Sequence, residues 1–165
     1  MNKIVYECFK YVPNTLKNNG YIKEIHKSKY LFEKEHLIKI LYNSIVSGFR
    51  QTVYYISDDK GIVHFSVVIG KCKKFQFLGK HDYVIGPCWT RDDYRGRGIY
   101  SGIINYIGDL YYKKNNASNI YILIQKENTP SLNGVKKSDF INIGSVEKSK
   151  HLKIFSKKIT SQDNI

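Results

Sequence analysis

Residues Thr90 to Leu110 read TRDDYRGRGIYSGIINYIGDL, and the rest of the chain is read outward from them. The apolar run before them, Tyr83-Val84-Ile85-Gly86-Pro87-Cys88-Trp89, has the make-up of a strand, while Ile99, Ile103, Ile107 and Leu110 recur at helical spacing. The stretch is therefore a strand, a tight basic turn and a helix. Gly96 and Gly98 let the turn adopt backbone conformations closed to other residues and leave no side chain over the helix start. Amides are thus bared at a helix N-terminus, where unpaired N–H groups and the positive dipole end favour an anion. Arg91, Arg95 and Arg97 surround that point, and the only other arginine is Arg50. A phosphate-bearing ligand suits this arrangement.

Two phosphate-binding patterns come close and fail on residues they require. A P-loop needs Gly-Lys-Ser/Thr to close the turn, which is missing. A dinucleotide fingerprint wants Gly where Ser101 stands, and an acidic residue near the end of the next strand, where Ile120 to Gln125 offers none.

The turn instead resembles the acetyl-coenzyme A loop of the GNAT superfamily of N-acetyltransferases. Its motif, Arg or Gln, two residues, Gly, one residue, then Gly or Ala, falls on Arg95, Gly98 and position 100, where Tyr100 departs from the small residue. A second segment follows at the spacing of that family. Asn128-Thr129-Pro130-Ser131 resembles its Asn-x-x-Ala/Ser helix opening, and the run to Phe140 resembles its Gly-Phe, with Asp139 in place of the Gly.

The resemblance implies an α+β single-domain GNAT fold: a mixed, mostly antiparallel sheet, with a central splayed parallel strand pair flanked by helices. It implies acetyl-coenzyme A as the acyl donor and a small-molecule amine as the acceptor. Backbone groups around Trp89, Thr90 and Arg91 would align the pantetheine arm and acetyl group. The amides of Arg95, Gly96, Arg97, Gly98, Ile99 and Tyr100, with Ser101, would hold the pyrophosphate, and Asn128 and Ser131 would hydrogen-bond the arm. An ordinary helix cap is the alternative for Asn128 and Ser131, and taken with the Arg/Gly loop the ligand role is favoured.

Many members carry a tyrosine seven residues after that Asn to protonate the leaving thiolate; here Val135 stands there. Another group does this work or the attacking ammonium supplies the proton, and the 14 tyrosines offer no choice by sequence. As a base, His81 and Asp82 stand just before the central strand and His64 lies on the strand before it. Each also reads as a packing or turn residue. Cys88 reads as a strand side chain rather than a nucleophile, because direct transfer needs none.

GRGIY, with Asn128-x-x-Ser131-x-x-Gly134-x-x-Lys137 ahead of Phe140, is similar to GNAT proteins encoded with bacterial surface-polysaccharide genes. That implies an amino sugar acceptor, carried on a nucleotide. The alternatives are another amine (a polyamine, an aminoglycoside or a protein N-terminus) or a non-catalytic protein that binds acyl-coenzyme A or nucleic acid.

At 165 residues the chain fits one domain, able to bury roughly 70% of its unfolded surface. With 42% hydrophobic and 25% charged residues it is globular. Glu7 and Lys10 break the first apolar run, which excludes a signal peptide, and no run approaches the ~20 apolar residues of a membrane span. Three scattered cysteines, Cys8, Cys72 and Cys88, point to a reducing, cytoplasmic setting with no metal. The net charge of +13 is carried almost wholly by dispersed lysines, with no dense basic run, so a solvated surface is expected rather than a nucleic-acid interface.

Strands are expected at Ile4–Tyr11, Gln51–Ile56, Ile62–Ile69, Tyr83–Thr90, Asn119–Gln125, near Phe140–Val146 and at His151–Lys157. Tyr21–His26 is a short strand or an irregular helix. Leu37, Leu41 and Ile45 predict a helix over Glu33–Ser47 ended by Gly48. Phe75–Leu78 extends a sheet or forms a loop, Ile159–Ile165 is a loose tail, and the sequence does not decide whether the protein forms a homodimer through its final strands. The Tyr83 and Asn119 strands, joined by one helix, should be parallel.

Overall fold

The computed structural model describes residues 3–13, 25–28, 45, 48, 50–114, 117–156 and 159–161. Apart from Ile45, the helix expected over Glu33–Ser47 lies outside them. The described strands are β1 (Lys3–Tyr11), β2 (His26–Ser28), β3 (Gln51–Asp58), β4 (Gly61–Gly70), β5 (Asp82–Thr90), β6 (Asn119–Gln125) and β7 (Phe140–Ser149). Helix α1 (Ile99–Lys114) joins β5 to β6, and the short α2 (Thr129–Val135) follows β6. The strands form one seven-stranded sheet in the order β2-β3-β4-β5-β6-β1-β7. Every pairing is antiparallel except that of β5 with β6. This is the expected α+β architecture.

The parallel pair decides where a ligand can go. β5 and β6 pair only from Asp82 with Asn119 to Ile85 with Ile122. Beyond Ile85, β5 stays with β4 until Thr90 meets His64, while β6 stays with β1 until Gln125 meets Tyr6. The two strands therefore part in mid-sheet. The β4 register slips between Ser66 and Val68 at the same level, and Gly86 has φ +140°, a value side-chain-bearing residues rarely adopt.

Helix α1 packs on one face of the sheet because its apolar residues recur every three or four positions. Ile103, Ile104 and Ile107 are fully buried with Val68, Ile85, Ile120 and Ile122. Each such side chain contributes about 1.5–3 kcal/mol. β1 is locked to the same helix. The Tyr11 ring lies over Gly108, where a Cβ would come within 2.5 Å of it, and its hydroxyl donates to Asp109 at 2.6 Å. The opposite face buries Val53, Phe65, Val67 and Val84 beneath Phe75, Leu78 and Phe155. No helix among the described residues is long and apolar enough to cross a membrane.

Two expectations change and one open alternative is decided. The last two strands are not a pair: β7 is a single strand, and among the described residues of the expected His151–Lys157 strand only Phe155 forms bridges, to Lys148 and Phe75. Its ring, stacked on Phe75 at 5.1 Å between centroids, is used as a cover for the sheet rather than as a strand residue. Phe75–Leu78 is loop. Within the segment expected to be loose, Thr160 exchanges two backbone hydrogen bonds of 2.8 Å with Ser145, against Gly144, where no Cβ would fit.

Candidate active site

A groove of about 520 Å³ opens where β5 ends and both helices begin. Gly96 and Gly98 have φ +76° and +78°, and the space in front of each is open. This bends the chain from a single 3-10 turn, Asp92–Tyr94, into α1 with backbone facing the groove. Among the described residues, no backbone or side-chain acceptor outside the helix takes the amides of Gly96 through Ser101. The Ser101 hydroxyl donates back to the Gly98 carbonyl at 3.0 Å, leaving its oxygen as an acceptor. Free amides at the positive end of a sixteen-residue helix form an anion cradle that a Cβ would fill.

The three arginines divide their work. Arg91 is turned away: its guanidinium holds Asp58 through Nη1 at 3.0 Å and through Nη2, and Nε donates to Asp93 at 2.8 Å. That hydrogen-bonded pairing holds the Asp58 carboxyl far below the usual carboxylate range. Tyr94, which sequence reasoning passed over, lies between the guanidinium groups of Arg91 and Arg97, 4.8 and 4.9 Å from its ring centroid. Its hydroxyl also donates to Asp58 at 2.9 Å. This cluster braces the basic turn against the β3–β4 hairpin. Arg95 alone of the three lines the groove, with Nε donating to the Thr90 carbonyl at 3.2 Å.

On the facing wall, Asn128 caps α2: its side-chain oxygen accepts the Ser131 amide at 3.3 Å. Both residues line the groove, as do Asn133, Gly134 and Lys137 of the same segment. The cap is thus realised, and its residues still face the ligand space. Val135 points into the core and is fully buried. Tyr100 reaches across instead. Its ring lies against Gly134, where a Cβ would come within 2.5 Å of it. Burial holds its phenol well above the usual value.

A second, smaller cavity of about 220 Å³ occupies the gap between the parted strands. It shares Cys88, Tyr100, Asn128 and Ser131 with the groove, so the two spaces meet there. Beyond Ile85 the edge of β5 that faces the gap has no strand partner, leaving backbone groups for a ligand to pair with.

The structure separates the base candidates. His81 and Asp82 stand at the far end of β5, eight extended residues or roughly 26 Å from Thr90. Asp82 is buried and fully engaged, accepting the Gly79 amide at 2.7 Å and the Asn119 side-chain amide at 2.9 Å. His81 is exposed there. Neither is brought to the groove, because β5 runs from the closed end to the open one.

His64 is brought close, but as a brace. It is wholly buried, with Nδ1 2.7 Å from Thr90 Oγ1 and Nε2 2.9 Å from Ser66 Oγ, and Ser66 donates to Cys88 Sγ at 3.2 Å. Since the Ser66 proton goes to sulfur, Nε2–H donates to Ser66 and Nδ1 accepts from Thr90. Both ring nitrogens are spent, and burial pulls the imidazole down to about 3. Burial pushes Cys88 up to about 12, keeping it a thiol. Among the described residues neither cavity is lined by a carboxylate or an imidazole.

No family model matches the chain, and no curated protein matches it. Solved structures do. A GNAT-family acetyltransferase from Colwellia psychrerythraea superposes with a TM-score of 0.58 at 9% identity, over 86% of this chain and 54% of that one. A putative GNAT-family acetyltransferase from Novosphingobium aromaticivorans gives 0.56 at 9% identity, over 89% and 63%. The glucosamine N-acetyltransferase region of a fungal multi-domain beta-N-acetylglucosaminidase gives 0.55 at 11% identity, over 87% of this chain and 20% of that one. The chain thus spans about 54% and 63% of the length of the two bacterial proteins. At such identities the likeness establishes the fold, and the fold is that of the GNAT acetyltransferases.

Proposed function

We propose that the protein is an acetyl-coenzyme A-dependent N-acetyltransferase that acts by direct attack of a primary amine. The observation that carries this reading is the meeting of an anion cradle with a split parallel sheet: the groove ends where β5 has parted from β6 and continues into a second cavity. A long ligand with phosphates at one end fits such a groove, with the amides of Gly96 to Ser101 on the phosphates and the β5 edge along its arm. The bound thioester supplies an activated acetyl carbonyl. The chain supplies alignment, exclusion of water and a proton donor. Tyr100 is the only tyrosine among the described residues that lines both cavities, so its phenol takes the role of protonating the departing thiolate, and the proton that the attacking nitrogen loses restores the phenol.

With no side-chain base lining either cavity, the acceptor reacts as its free amine, and kcat/KM should rise with pH until the acceptor's own amine is deprotonated. The acceptor we propose is an amino sugar carried on a nucleotide. The Gly-Arg-Gly-Ile-Tyr turn with the Asn128–Lys137 segment supports it, as does the accommodation of a glucosamine acetyltransferase by the same fold. Calorimetry with acetyl-coenzyme A at two salt concentrations tests the donor site, and micromolar binding is expected. Thiol release across nucleotide-linked amino sugars, free amino sugars and polyamines tests the rest. Turnover of polyamines alone would remove the sugar; donor binding without turnover of any amine would leave a non-catalytic acyl-coenzyme A binder.

A further inference from the structure

The cavity between the parted strands is lined from both faces of the sheet. Ile122 and Ile124 line it from the α1 face, while Leu123 and Tyr6 belong to the face covered by Phe155. Tyr6 reaches the gap because β1 lies beside β6, in register with Gln125 at the strand end. Its ring is held by the edge of Phe155, 5.1 Å between centroids, with the Lys148 ammonium 5.7 Å over it. Gln125 Nε2 donates to the Tyr6 hydroxyl at 3.1 Å. The phenol proton is then free to donate, with the amide oxygen of Gln125 available beside it as an acceptor.

A donor and an acceptor side by side suit a hydroxyl group, which gives one hydrogen bond and takes another. A polycation is served badly there. An ammonium held there gains no ion pair, because no carboxylate lines the cavity among the described residues. Burial raises the Tyr6 phenol, the Gln125 hydrogen bond opposes it, and the charge of Glu127 adds to the rise.

We propose that Tyr6 and Gln125 form the acceptor subsite, entered from the sheet face opposite the helices, and that they select a hydroxylated amine over a polyamine. This rests on the acetyltransferase reading and names how that same site chooses its acceptor. Tyr6→Phe keeps the packed ring and removes the hydroxyl; Gln125→Glu installs the missing charge.

With glucosamine as the probe, Tyr6→Phe should raise KM roughly three- to tenfold, the loss of one hydrogen bond, while kcat falls less than twofold. Gln125→Glu should lower the KM for spermidine and raise that for glucosamine. Unchanged acetyl-coenzyme A affinity by calorimetry keeps the effect on the acceptor side. Saturation-transfer NMR of glucosamine on the wild-type and Tyr6→Phe proteins, with and without coenzyme A, reads the subsite without turnover. Failure of acetyl-coenzyme A to bind the wild type would sink the acetyltransferase reading. Glucosamine binding and KM unmoved by Tyr6→Phe, or spermidine preferred by the wild type, would overturn the subsite.

Discussion

The two ends of β5 each carry a small buried polar cluster, and the chain treats them differently. At the first end, Asp82 ties the Gly79 turn to Asn119 while β5 and β6 are still paired around it. At the other, His64 links Thr90 to Ser66 and Cys88 after the strands have parted, and the cluster backs onto two cavities. Both sets are satisfied, so hydrogen bonding alone does not tell structure from site. What differs is the backbone. Where the sheet is closed a buried polar group braces it, and where one strand edge is left open the same kind of group stands behind a cavity.

The comparison breaks first at Gly98. A tryptophan there would be strained by the +78° φ and would project into the open groove. Gly98→Trp should weaken acetyl-coenzyme A binding by more than about 100-fold, or roughly 2.8 kcal/mol, by calorimetry. Equal affinity would mean that the open end is not the donor site. A thermal melt on the same sample separates lost binding from lost folding.

Tyr100→Phe comes next. Removing the one phenol shared by both cavities should lower kcat about 100-fold, with donor affinity unchanged. Gly134→Ala sharpens this by pushing the ring without removing the hydroxyl, and it should fall between the two. A Tyr100→Phe enzyme with full kcat would leave the attacking ammonium as the proton source.

At the closed end, Asp82→Ala should cost stability and nothing else. Leaving the Gly79 amide and the Asn119 side chain unpaired is worth about 1–3 kcal/mol, seen as a lowered midpoint in thermal unfolding. Donor affinity and kcat should stay at wild-type values. A selective loss of kcat would place chemistry at the end where none is expected.

The strand-turn-helix at 83–110, the Asn128 helix and the parallel pair were legible because each is written in local pattern: an apolar run, glycines at a turn, a helical repeat, a cap. Two things were not. The placing of β1 between β6 and β7 is a pairing across more than 100 residues, as Tyr6 with Gln125 shows, and no local signal announces it. Tyr6 was missed as a site residue for that reason. His81 and Asp82 do not reach the groove, which was hidden because a sequence shows adjacency to a strand but not which end of that strand opens. Tyr100, legible only as a departure from a motif, is explained by Gly134, 34 residues on, whose missing side chain makes room for the ring.

The smallest effect concerns His64. An imidazole pulled down to about 3 in the folded protein, against ~6.5 unfolded, means that the unfolded chain binds more protons between those values. Its contribution is therefore present above pH ~6.5 and lost as pH falls toward 3, at no more than about 1.4 kcal/mol per pH unit. Asp58, held low by Arg91, acts only below the unfolded carboxylate value of ~3.9, so the window from about 6 to 4.5 separates the two. His64→Gln should flatten stability against pH in that window, measured by denaturant unfolding. It should leave the midpoint of the kcat/KM profile where the acceptor's amine sets it. A profile that lost its pH dependence in His64→Gln would make the buried imidazole the base after all, acting through Thr90 and its hydroxyl, and the open end would then owe its chemistry to the cluster behind the cavity wall rather than to the residues lining it.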